Sequence, residues 1–132
     1  DVKTAQESFT AAYELGPQFQ NLALYAIAGN IAAGDQAAAD TIMRAAFGTT
    51  DVDSDILSIA YYRAKDWPHL IGIWKSRTER PDATVETWFS LAAAYYAAGD
   101  KTNAIKTINA TIARYPEAAA SGAAAIKEIE GK

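Results

Sequence analysis

Residues 88–116, WFSLAAAYYAAGDKTNAIKTINATIARYP, hold two helical patterns on either side of one turn. In the first, Trp88, Leu91, Ala92 and Tyr95 recur at i, i+3, i+4 and i+7, which places them on one apolar helix face. Ala98-Gly99-Asp100 interrupts that pattern, and a second helix-like segment follows. It carries Ala104 four residues and Ile108 eight residues after the aspartate, and ends at Pro116, where a helix should stop.

The same arrangement recurs outward from this stretch. Ala33-Gly34-Asp35 and Ala64-Lys65-Asp66 match the turn, so that Asp35, Asp66 and Asp100 stand 31 and 34 residues apart, with Asp1 another 34 before the first. Four residues after each aspartate comes Ala5, Ala39, Leu70 or Ala104, and eight residues after it Phe9, Met43, Trp74 or Ile108. Sixteen residues on stand Pro17, Asp51, Asp82 with Pro81 beside it, and Pro116. A period of this size marks a helical array, in which one helix pair cannot bury its apolar face alone and about three stacked units are needed. The chain therefore reads as a single domain over 1–132. It opens with a half repeat (1–19, helix B only), continues with three helix pairs (20–50, 51–84 and 85–118) and closes with a capping helix (119–130). The shorter spacing is placed after Phe47, where Gly48-Thr49-Thr50 ends a helix early and Asp51 to Ser54 caps the next. The final helix turns Ala119, Ala123, Ile126 and Ile129 inward and Lys127, Glu128 and Glu130 to water, with Gly131 ending it.

Composition agrees with an all-α fold. Half of the 132 residues are apolar, with a visible excess of alanine, a strong helix former that lets helices approach closely. A net charge of −4 with both signs mixed along the chain gives no basic stripe to meet a phosphate backbone, so nucleic acid is not an expected partner. The absence of cysteine removes disulfides and thiolate zinc sites and leaves the compartment open. Apolar runs such as Leu91 to Ala98 fall short of the ~20 residues of a membrane span. With Asp1 first and no charged-then-apolar leader, the chain reads as a segment of something longer.

Trp88, Leu91, Ala92 and Tyr95, followed by Ala104, Ile108 and Pro116, resemble the tetratricopeptide repeat signature. In that signature a large, a small and an aromatic residue on helix A interlock with a small and a large residue on helix B. The sequence departs from it at Ala92, where glycine is usual, at Thr111, where alanine is usual, and at Ser54, Ser58, Leu70 and Arg77 of the middle repeat. The alternative is a non-repeating helical bundle with similar turns.

The resemblance implies a right-handed α-α superhelix whose A helices line a concave groove. By register, the partner-binding positions are Leu24, Tyr25, Ala28 and Ile31; Ile56, Ile59, Tyr62 and Arg63; and Phe89, Ser90, Ala93 and Tyr96. So many large apolar groups on a face expected to meet solvent call for a cover, and a partner protein or peptide segment is the simplest one. Tight curvature, or the C-terminal helix folding back, would bury the same residues instead. Family members that hold a terminal carboxylate use a clamp of lysine, arginine and asparagine. Here only Arg63 and Asn30 stand near such positions, so an extended or helical apolar segment anchored between Tyr25, Tyr62 and Tyr96 fits better.

No catalytic, cofactor or metal site is expected. His69, the single histidine, follows Trp67-Pro68 early in a helix, and the local sequence supplies neither the nucleophile or orienting carboxylate that catalysis needs nor companions at metal-ligand spacing. Asp51, Asp53 and Asp55 alternate like a calcium loop, but Ile56 stands where glycine is needed and Tyr62 where glutamate is; helix capping accounts for the acids. Glu79, Asp82 and Glu86 surround a turn and read as a solvated loop, and phosphate loops and serine elbows are absent.

The ending, from Ala-Gly-Asp-Lys through Tyr115-Pro116 to Ile126-Lys127-Glu128-Ile129, resembles the tetratricopeptide tails of bacterial membrane proteins of the O-antigen ligase or polymerase-like kind. That likeness implies an attached tail and no glycosyl transfer by these residues. The expected function is a non-enzymatic interaction or scaffold module. One rival is a self-associating segment that docks through the N-terminal half repeat; a second is an enzyme or small-ligand pocket on an α-solenoid, for which the sequence shows no cluster of converging polar groups.

Overall fold

Eight α-helices and no strand are present among the residues described by the computed structural model, which are 1–16 and 19–131, with Leu15 described by its backbone alone. The helices are α1 (Val2–Leu15), α2 (Gln20–Ala32), α3 (Gln36–Phe47), α4 (Asp55–Arg63), α5 (Trp67–Thr78), α6 (Val85–Ala97), α7 (Lys101–Arg114) and α8 (Ala119–Ile129), with a 3₁₀ turn at Pro116–Ala118. Pro17, expected to stop the first helix, lies outside the described residues.

The helical repeat is written in the backbone of its turns. Gly34, Lys65 and Gly99 adopt left-handed φ of 77°, 56° and 81°. One residue later the N–H of Asp35, Asp66 or Asp100 donates to the carbonyl five positions back, on Asn30, Tyr61 or Tyr95, at 2.9 Å each time. This bond meets carbonyls that a helix end would otherwise leave without partners. Glycine enters that backbone region without strain, whereas Lys65 must carry its Cβ into it. The aspartates then start the next helix: the carboxylates of Asp1, Asp35 and Asp100 accept from the N–H of Thr4, Ala38 and Asn103 at 2.8, 3.1 and 3.0 Å. As expected, Gly48 closes α3 with a left-handed φ of 76°, and the Ser54 hydroxyl accepts from the N–H of Ile56 to open α4.

The described residues form two compact units, Asp1–Asp66 and Trp67–Lys132. In the first, α2 is the central helix and packs against α1, α3 and α4. Its sequence, QNLALYAIAGNIA, has no polar face over Leu22 to Ala28, and a helix apolar all round is stable only when surrounded. Ile27 of α2, Met43 of α3 and Leu57 of α4 are fully buried, each contributing about 1.5–3 kcal/mol by leaving water. Gln36 of α3 donates from Nε2 to the Tyr61 hydroxyl of α4 at 3.1 Å, and burial pushes the Tyr61 phenol above its ordinary pKa.

In the second unit α6, VETWFSLAAAYYA, is equally short of polar residues and packs against α5 and α7. Thr84 caps it in a reciprocal pair with Thr87. Ala92, Ala104, Ile108 and Ile129 form one buried cluster, which brings α8 onto α6 and α7. The α7–α8 approach depends on Gly122, where a Cβ would lie 2.5 Å from Cδ1 of Ile112. Tyr115 closes the unit by donating its hydroxyl to the carbonyl of Ala83 at 3.0 Å.

Candidate functional site

The first unit holds an apolar hollow of about 410 Å³ with α2 as its floor and α1 and α4 as its walls. Two features of α2 set the distance of the α1 wall. Gly29 lets the α1 backbone come close, since a Cβ there would lie 3.2 Å from Cα of Gln6. Beside it, buried Asn30 donates through Nδ2 to the carbonyl of Ala26 at 2.8 Å and to the Thr10 hydroxyl at 3.3 Å, and its Oδ1 accepts from Nε2 of Gln6 at 2.5 Å. A buried amide with all of these partners fixes the register of two helices, because breaking the set would strand a polar group away from water.

Against that frame Phe9 of α1 stacks on Tyr25 of α2, with ring centroids 5.6 Å apart and planes 22° from parallel. Val2 and Ala5 continue the α1 wall; Ile56, Ile59 and Ala60 form the wall on α4. Arg63 is the one charged side chain in the lining and Tyr25 the one hydroxyl. The rest of the lining among the described residues is apolar. Val2, Phe9, Tyr25 and Ile59 are between 40% and 51% exposed, so this apolar area faces solvent.

Of the twelve partner-binding positions read from register, Tyr25, Ala28, Ile56, Ile59 and Arg63 meet in this hollow. Ile31 is buried at 4% exposure and belongs to the core, and Leu24 is half-buried. Tyr62, at 60% exposure, lies outside the lining. In the second unit Phe89, Ala93 and Tyr96 border a hollow of about 200 Å³ against Ala125, Glu128 and Ile129 of α8, while Ser90 is half-buried outside it. There α8 lies beside these residues of α6, while Tyr96 stays 48% exposed.

Val2, Ala5 and Phe9 escape a reading that takes lining residues from A helices alone, since the register makes α1 a helix B. The available signal was the exposed apolar face expected of that half repeat. Asn30, considered for a carboxylate clamp, is buried with its amide engaged by α1 and α2. Among the described residues no group of three or more histidine, aspartate or glutamate side chains is placed to hold a metal ion, and no helix is long and apolar enough to cross a membrane. No protein-family model, curated protein or solved structure matches the chain.

Proposed function

We propose that the chain is a tetratricopeptide-like interaction module whose first unit holds an apolar segment of a partner protein in the hollow between α1, α2 and α4. The observation that carries this reading is the concentration of solvent-facing Val2, Phe9, Tyr25 and Ile59 around one concavity on a rigid helical frame. An apolar patch kept at the surface of a folded unit lowers solubility unless it meets a partner, and aromatic anchors in a preformed groove are the usual means of peptide capture. Arg63 at the α4 wall favours a segment with an acidic residue beside its apolar anchors.

Selection from a displayed library of random peptides tests this. Peptides with apolar or aromatic anchors should be enriched, and Tyr25→Ser with Ile59→Ser should weaken their binding by about tenfold or more without altering helix content. No enrichment, or enriched peptides that bind the double variant equally well, would overturn the proposal. A second reading, docking of α1 onto another copy of the chain, is favoured by the exposure of Val2 and Phe9 on that helix. Sedimentation of the intact chain over a wide concentration range separates the two: self-docking requires a mass that rises with concentration.

A further inference from the structure

The second unit has a feature unrelated to the apolar groove. Between α5 and α7, over α6, lies a hollow of about 700 Å³ whose rim carries Lys75, Arg80, Lys106 and Arg114, with Glu79 the one acidic side chain in the lining. That gathers four of the chain's 12 lysines and arginines, and one of its 16 acids, around a single concavity in a protein of net charge −4. Cations placed together repel one another, so their convergence from two helices and a loop marks a place where negative charge is favoured.

The floor differs in character from the rim. Trp88, Leu91 and Tyr95 of α6 present aromatic and apolar surface, and the Arg114 guanidinium lies 5.9 Å from the Trp88 ring centroid. Several neutral polar groups of the lining have a donor already engaged. The Thr78 hydroxyl donates to the carbonyl of Lys75, that of Thr107 to the carbonyl of Asn103, and Nδ2 of Asn103 to the carboxylate of Asp100. The indole Nε1 of Trp88, by contrast, is buried without a hydrogen-bond partner. The lining therefore combines the positive charge of Lys75, Lys106 and Arg114 with an aromatic and apolar floor.

We propose that this hollow binds a small-molecule anion with two or more negative charges on a planar or apolar body. Its volume is that of a small-molecule site, and its cations ring one concavity instead of running as a stripe along the surface, which suits a compact ligand over a polymer. Arg114 and the lysines hold the anionic group, while Trp88 and Tyr95 cover the body.

The test uses the intact chain with 2-naphthyl phosphate, inorganic phosphate and 2-naphthol as probes, followed by calorimetry and by the Trp88 indole N–H resonance, assigned with Trp88→Phe. Naphthyl phosphate should bind more tightly than either fragment, shift the Trp88 signal and weaken as salt is raised. Lys75→Gln with Lys106→Gln, both exposed side chains, should reduce its affinity by roughly tenfold while the circular dichroism spectrum stays unchanged. Equal binding of 2-naphthol, no effect of the double variant, or tighter binding of polyglutamate or duplex DNA would overturn the proposal.

Discussion

The two units border similar apolar faces of their central helices with different neighbours. In the first, Tyr25 and Ala28 of α2 look onto a hollow open between α1 and α4. In the second, the corresponding flank of α6, with Phe89 and Ala93, has α8 laid beside it and Ile129 inserted into the core. Similar helix chemistry thus borders an open hollow of about 410 Å³ in one unit and a smaller one of about 200 Å³ beside α8 in the other, where Tyr96 is still 48% exposed. An apolar helix face does not determine its own cover; the next available helix does.

Breaking the cover should have the largest effect. Ile129→Glu places a carboxylate in the cluster with Ala92, Ala104 and Ile108 and should cost about 3 kcal/mol or more, with new binding of an apolar dye, measured by chemical denaturation and fluorescence. If stability is unchanged, α8 contributes no cover and the contrast between the units disappears. Next, Asn30→Ala removes the amide that holds α1 beside the open hollow and should cost about 2 kcal/mol, with faster amide exchange in α1 than in α3.

The turns sharpen the comparison at smaller scale. Gly99→Ala should cost about 1 kcal/mol, because its φ of 81° strains any residue with a Cβ, whereas Lys65→Gly should be neutral or stabilising by about 0.5 kcal/mol, both read from thermal denaturation. The smallest effect concerns acid. The side-chain amide and the backbone N–H of Asn103 hold the Asp100 carboxyl below its ordinary pKa. Its contribution is thus fully present above the unfolded aspartate value of about 3.9 and is lost as pH falls through the lower folded value. The protection of the Asn103 amide relative to its intrinsic exchange rate should fall only below about pH 4, and Asp100→Ala should abolish that pH dependence of protection.

Much of the fold was legible before any coordinates, and for local reasons. Ala-Gly-Asp at 33–35 and 98–100 spells a left-handed glycine followed by a helix cap, and the weaker Ala-Lys-Asp at 64–66, 31 and 34 residues from its counterparts, makes the same turn. The candidate site was only half legible. Register placed Tyr25, Ile59 and Arg63 in the groove, but it gave Ile31 the same status although that side chain is core. Periodicity names the face of a helix and cannot say which part of that face a neighbour covers.

Where the turns at 33–35, 64–66 and 98–100 fall, and that a helix ends near Gly48 and another opens after Ser54, followed from residue type and spacing, because caps and turns act within a few residues of themselves. Which apolar side chains stay in water, and that Lys75, Arg80, Lys106 and Arg114 share one concavity, was decided only by packing. Residues as far apart in the chain as Lys75 and Arg114 become neighbours through the helices between them, and no local spacing encodes that meeting.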